Sequence, residues 1–250
     1  MKRYTVLLLM LIGSIGMAFA KGLLNNTVYY GRVGVNIGGT APINMPATIR
    51  GMNKFTIQPN LVLGLDVYKP LNGHWGLMAG LHMENKNMKV DARVKNYHMI
   101  LTQGGDQLEG RFTGNVVTQV DENMLTLPVQ MTCDCGKSVR IMLGPYISYV
   151  LSHQFSGYAY NGYLRQGDPT GTKVMLGNDD SSRGDYNFSS DMRHWQYGLS
   201  GGIDWNFSKR WGCYANVAWG LSGLFKSDFH TLDQTLYPIY GTIGLTYKLK

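Results

Sequence analysis

Apolar and polar residues alternate along most of the chain, and the parity carries over from one stretch to the next. Across 29–38 the odd positions hold Tyr29, Val33, Val35 and Ile37, while the even ones hold Tyr30, Arg32, Gly34 and Asn36. The same odd-apolar pattern runs through 55–68, 75–84, 125–133, 139–152, 195–207, 211–222 and 237–249. In 139–152, Val139, Ile141, Leu143, Ile147, Tyr149 and Leu151 oppose Arg140, Gly144, Ser148 and Ser152. A period of two marks a strand with unlike faces. These eight segments are expected to be strands, each long enough to cross a bilayer on a tilt, which takes about 9–11 residues.

Aromatics cluster at the ends of the apolar faces: Tyr29, Phe55, Trp75, Trp195, Phe207, Trp211, Trp219, Tyr237 and Tyr247. Girdles of this kind sit at the two membrane–water boundaries of transmembrane barrels. Short connections at 69–74, 134–138 and 208–210 alternate with long ones near 39–54, 91–122, 153–193 and 223–235. Short turns on one side and long loops on the other are the arrangement of outer-membrane barrels. The expected fold is all-β, an eight-stranded antiparallel transmembrane β-barrel of up-and-down topology. An even strand count puts both termini on the short-turn, periplasmic side and leaves no bare edge in lipid.

Composition narrows the alternatives. Only 16% of residues are charged, 32 are Gly, and the mean hydropathy is −0.15. Beyond the first twenty residues no apolar run reaches 18, which excludes a polytopic helical membrane protein. Residues 1–20 read as a cleaved signal peptide. Lys2 and Arg3 precede the apolar Val6 to Met17, and Ala18-Phe19-Ala20 forms an A-x-A site. The mature domain is then 21–250, and losing Lys2 and Arg3 lowers the formal charge from +7 to +5. Cys133, Cys135 and Cys213 make no disulfide framework. Cys133 and Cys213 fall on the fourth and seventh strands, which are not neighbours, so free thiols are expected.

A secreted lipocalin-like barrel would also have eight strands, with its apolar face inward. Against it stand the charges spread over the polar faces of several strands, and the aromatic rims. At the level of motifs, Leu125-Thr126-Leu127-Pro128-Val129 precedes a short turn, Arg140-Ile141-Met142-Leu143-Gly144-Pro145-Tyr146 opens the next strand, and Gly241-Thr242-Ile243-Gly244-Leu245-Thr246-Tyr247-Lys248-Leu249 closes the chain. In these features the chain resembles the PorT-like outer-membrane β-barrel family, the "outer membrane protein beta-barrel domain" group, over nearly all of 29–250. The resemblance implies an eight-stranded barrel without an enzymatic site. PorT itself belongs to a secretion and assembly apparatus, a role that does not transfer with fold. Many outer-membrane barrels end in Phe. Here the chain ends Tyr247-Lys248-Leu249-Lys250, so Tyr247 and Leu249 are expected to carry the assembly signal.

The even parity points Arg32, Asp66, Glu84, Lys86, Arg140 and Asp204 into the lumen. A barrel of eight strands is only wide enough for side chains to fill it, and buried charges must pair, so a structural polar plug is expected rather than a solute pore. No catalytic, cofactor-binding or metal-binding set is expected. His82, His98, His153, His194 and His230 are scattered, and adjacent Ser152 and His153 would point to opposite faces of a strand. Arg183-Gly184-Asp185 is read as a chance adhesion-like tripeptide. The aromatic-rich loop 153–193 is a possible contact surface for protein or glycan. Expected partners are outer-membrane lipids and such a surface ligand, with no nucleic acid. The function read from this is an outer-membrane protein of structural, adhesive or assembly-partner type. The alternatives are a barrel-borne enzyme (lipid A modification or proteolysis) or a secreted lipocalin-like carrier.

Overall fold

The computed structural model describes residues 26–43, 46–58, 60–229, 231–232 and 234–249. The expected signal peptide and His230 lie outside them. The described residues form β1 (Val28–Pro42), β2 (Ile49–Ile57), β3 (Leu61–Pro70), β4 (Trp75–Asn85), β5 (Met88–Gln103), β6 (Asp106–Cys135), β7 (Val139–Gln166), β8 (Lys173–Leu176), β9 (Gly184–Asn187), β10 (Trp195–Trp205), β11 (Trp211–Gly220) and β12 (Leu236–Lys248), with one 3-10 turn at Ser189–Asp191. All are antiparallel and belong to one sheet.

Part of that sheet closes on itself. From β1 the pairing runs to β3, β4, β6, β7, β10, β11 and β12, and β12 pairs with β1 again. Followed through directly opposed residues, Trp195 leads to Tyr149, Leu125, Met83, Leu63, Val33, Leu245 and Cys213. The path then re-enters β10 at Trp205, ten residues along from Trp195. A stagger of this kind tilts the strands of a closed sheet. Along the path the odd residues face out and the even residues face in. Leu65 is 64% exposed and Ile243 55%, whereas Asp66 and Thr246 are each at 2%. A soluble barrel would invert this. The outward Val, Leu, Ile and Met side chains encircle the path, forming an apolar belt far larger than the few hundred Å² usual on a soluble monomer.

Two expectations from the sequence change. The stretch 55–68 is not one strand. β2 ends at Ile57 and leaves the closed path to pair with β5, and β3 begins at Leu61. At the break, Asn60 donates its side-chain amide to Asn87 O (3.0 Å) and accepts from Asn87 N (2.8 Å), so its polar groups bond outside the β2–β3 direction. Nor are 91–122 and 153–193 loops. β6 and β7 run 30 and 28 residues without interruption, so their upper halves continue the hairpin beyond the barrel, joined by β2, β5, β8 and β9.

This upper sheet curls round its own core of Met99, Leu101, Phe112, Val120, Phe155 and Ala159, all buried, with Met192 and Leu224 reaching in from the adjoining segments. A single bridge, Thr102 to Asp185, links β5 to β9 and brings the curl round. Its alternation escapes a strict odd-position reading for two reasons: an extra residue of β7 at each of the register shifts Asn123/Met124 and Thr113/Asn115 resets the parity of that strand, and β6, which keeps its even positions inward, carries apolar Leu108, Phe112, Val116 and Val120 there. Thus Val150 faces in on an even position, Phe155 and Ala159 on odd ones, and Leu164 on an even one again.

Candidate functional site: a charged lumen under a folded cover

The inward faces of the closed path carry three layers of paired charge. Nearest the short turns, Arg140 opens β7 directly opposite Asp134 at the end of β6. Its Nε donates to Asp134 Oδ1 at 2.6 Å, its guanidinium stacks 3.6 Å from the Tyr68 ring centroid, and Tyr68 OH donates to Asp134 Oδ2 at 2.8 Å. In the middle, Arg32 of β1 donates from Nη1 and Nη2 to both oxygens of Asp204 of β10, at 2.9 and 2.8 Å. That fork is the strongest form of such a pair. Its Nε rests against Asp66 Oδ2 of β3, and Asp66 Oδ1 meets His82 Nε2 at 2.7 Å.

The upper layer sits where β4 hands over to β5. Lys86 Nζ lies 3.2 Å from Glu84 Oε1, and Asn36 Nδ2 donates to Glu84 Oε2 at 3.1 Å. Thr126 donates to the same carboxylate, and Gln196 Nε2 donates to Glu122 Oε1 at 2.6 Å. Lys86 lies between the Tyr146 and Tyr240 rings, at 5.4 and 5.7 Å from their centroids.

Glycine makes room for these groups. A Cβ on Gly80 would lie 1.7 Å from Asp66 Oδ1, and one on Gly64 would lie 2.5 Å from the His82 ring. Between the side chains a space of about 40 Å³ remains, enough for a few waters.

Arg32, Asp66, Glu84, Lys86, Arg140 and Asp204 are therefore all buried, and each meets a charge of opposite sign. The structure adds two carboxylates that the sequence reading passed over. Asp134 sits between two cysteines, yet faces Arg140 across a short turn, which is the signal that could have found it. Glu122 continues the even parity of 125–133 three residues further back.

Above the lumen, His153 and His194 come together with ring centroids 4.8 Å apart, although the sequence separates them. Burial and the neighbouring His194 hold the His153 imidazole below its ordinary pKa. Arg183 of the adhesion-like tripeptide is engaged within its own surface. It meets Asp180 at 2.6 Å and Asp185 at 2.8 Å, and lies 4.4 Å from the Tyr158 ring centroid. Tyr158, Tyr160 and Tyr163 line the outer face of the upper sheet. Tyr160 OH donates to Asp91 Oδ2 at 2.7 Å, and its phenol is pushed up to about 12 by desolvation and that carboxylate. Lys173 lies over Tyr163 at 4.3 Å. Cys133, Cys135 and Cys213 are free. Among the described residues no group of three His, Cys, Asp or Glu side chains is arranged to hold a metal ion.

Comparison with solved structures finds Ail, the attachment invasion locus protein of Yersinia pestis, at 8% identity and a TM-score of 0.38, covering 89% of this chain and 97% of that one. It also finds the outer membrane protein OprG of Pseudomonas aeruginosa at 12% identity and a TM-score of 0.35, covering 89% and 94%. The translocator domain of the autotransporter NalP from Neisseria meningitidis follows at 11% identity and a TM-score of 0.26, covering 97% and 96%. Comparison with curated protein sequences gives no match. The family described as "Outer membrane protein beta-barrel domain" matches residues 16–226, most of the chain. With an apolar belt outside, paired charges inside and this match along its length, the chain belongs to the outer membrane protein β-barrel domain family.

Proposed function

We propose that the eight strands of the closed path form a transmembrane barrel with a plugged lumen, and that the protein acts through the folded cover it carries outside the outer membrane. In this reading it is exported through the leader at 1–20. It serves an adhesive or assembly-partner role of the PorT-like type, with outer-membrane lipids around its belt.

One observation carries the reading. Three layers of ion pairs cross the lumen, the space between the middle and upper layers is about 40 Å³, and the strands above it surround an apolar core. Solute passage needs a continuous aqueous lumen, which barrels of this size lack. The strands that make the lumen instead rise into a sheet whose outer face presents Tyr158, Tyr160 and Tyr163 among charged partners. Tyrosines on a rigid support, mixed with adaptable polar groups, make good contact surfaces. Enzymatic chemistry has no comparable support, since Ser152 accepts from Asn123 Nδ2 at 2.8 Å while its neighbour His153 packs on His194.

The test has two arms. Protein reconstituted into planar bilayers is expected to give no stepwise conductance, and large stable steps would contradict the plug. A photo-crosslinking amino acid at Lys173, on the outer face, is expected to capture a protein or glycan partner on intact cells. The same probe at Ser148, inside the lumen, is expected to capture none. Equal capture at both positions would contradict a role for the outer face.

A further inference from the structure

An apolar cavity of about 500 Å³ lies at the junction of barrel and cover, within the about 300–1,000 Å³ of small-molecule sites. Its shape follows from the strand pairings. β1 pairs with β3 only from Val28 to Val35, but with β12 as far as Pro42. Its upper part therefore has one free edge. β2 pairs with β5 alone and has a free edge of its own. The cavity lies between these two strands.

The long wall is β5, where Met88, Val90, Ala92 and Val94 occupy alternate positions and line the space. From Met88 to Val94 such a row extends about 20 Å at about 3.3 Å per residue. The wall thus describes a trough rather than a sphere. At its inner end, Tyr186 OH donates to Val117 O at 2.9 Å and bonds Thr118 Oγ1 at 2.7 Å, so both hydroxyls are already satisfied. Burial raises the Tyr186 phenol above its ordinary pKa, so it stays neutral. A polar ligand would find little to bond there.

The mouth differs. Ile239, 44% exposed on the outward face of β12, lines it opposite Gly39 of β1 and beside the girdle residue Trp219. The opening is therefore at the outer boundary of the apolar belt. Arg50 is the only charged residue of the lining, and it is exposed. It is also the residue skipped in the β2–β5 register, where Ile49 faces Val94 and Gly51 faces Arg93. A bulge re-aims its side chain. Among the described residues Arg50 has no ion-pair partner.

We propose that this cavity binds a linear acyl chain with an anionic head, the chain along β5 and the head at Arg50, entering from the membrane side between β1 and β2. The proposal goes beyond the surface role argued above, and it stands or falls independently of it. The acyl chain could belong to a free fatty acid or to a membrane lipid.

The test is native mass spectrometry of the folded protein, released from a neutral detergent after equilibration with laurate, dodecanol or a diacyl phosphatidylglycerol. One laurate per chain is expected. Ala92→Phe, which fills the trough, is expected to weaken that adduct about tenfold or more. Arg50→Gln is expected to weaken laurate by up to about fivefold, the range of an exposed ion pair, and to leave dodecanol unchanged. Binding of laurate alone identifies a free amphiphile, and binding of the phosphatidylglycerol as well as laurate identifies a site that also takes a lipid chain. Either supports the site. Heat-dependent gel migration confirms that each variant is folded, and Val90→Phe replaces Ala92→Phe if the latter is not. Absence of any adduct on the native protein, or adducts undiminished by a filled trough, would overturn the site. An Arg50→Gln effect equal for laurate and dodecanol would overturn the anionic head.

Discussion

Gly31 and Gly80 sit on opposite faces of the closed sheet, and a methyl group distinguishes them. At Gly31 a Cβ meets nothing within 4 Å, whereas at Gly80 it would fall on Asp66. Gly80→Ala must push Asp66 away from Arg32 and His82, and overpacking of that kind costs about 1–3 kcal/mol. Gly80→Ala is therefore expected to lower the folded fraction on heat-dependent gels, with Gly31→Ala close to the native protein. Equal loss would mean that backbone freedom rather than lumen crowding sets the need for glycine. Arg32 offers a second check. Its guanidinium answers both Asp66 and Asp204, so Arg32→Met strands buried carboxylates, a change that costs about 3–5 kcal/mol. A urea titration in lipid vesicles is expected to show Arg32→Met clearly less stable than Arg32→Met combined with Asp204→Asn. No difference between them would mean that water reaches Asp204 freely.

At the scale of strands, the two faces of β12 should answer oppositely to charge. Ile243 faces out, opposite Val35 and Ala215, well inside the span between Ile239 and Tyr247. Thr242 faces in and donates to Asn36 Oδ1 at 2.6 Å, one link from Glu84. Arg at mid-depth on a lipid face costs about 2–4 kcal/mol, while Arg in the lumen has carboxylates near and mainly overpacks, at about 1–3 kcal/mol. Ile243→Arg is thus expected to reduce folded yield in membranes more than Thr242→Arg, and the reverse order would invert the faces. These strands were legible because one parity holds without a break from the short turns to the upper girdle. The cover was not, because bulges opposite Asn123/Met124 and Thr113/Asn115 reset the parity of β7, while on β6 the inward even face turns apolar at Leu108, Phe112, Val116 and Val120, and an odd-position count reads both as noise. The β2–β3 break was hidden for a related reason: Phe55 and Ile57 happen to share the parity of Leu61 and Leu63, although β2 belongs to another part of the sheet.

For the molecule as a whole, the apolar belt and the charged interior follow from one alternation kept on the closed path, and the folded cover follows where the inward face turns apolar on β6 and bulges shift the phase of β7. The lumen charges could be named from the sequence because parity assigns a face. Their partners could not be, because pairing across the lumen, as between Arg32 and Asp204 172 positions apart, depends on how far the sheet is staggered when it closes. The most direct measurement of the central claim is the collision rate of single nitroxide labels with oxygen, which concentrates in lipid, and with a water-soluble nickel chelate. Labels would be placed at 242, 243, 245 and 246 in the bilayer-embedded protein. The account predicts high oxygen and low nickel accessibility at 243 and 245, and low values for both reagents at 242 and 246. High oxygen accessibility at 242 and 246, or high nickel accessibility at 243 and 245, would contradict it.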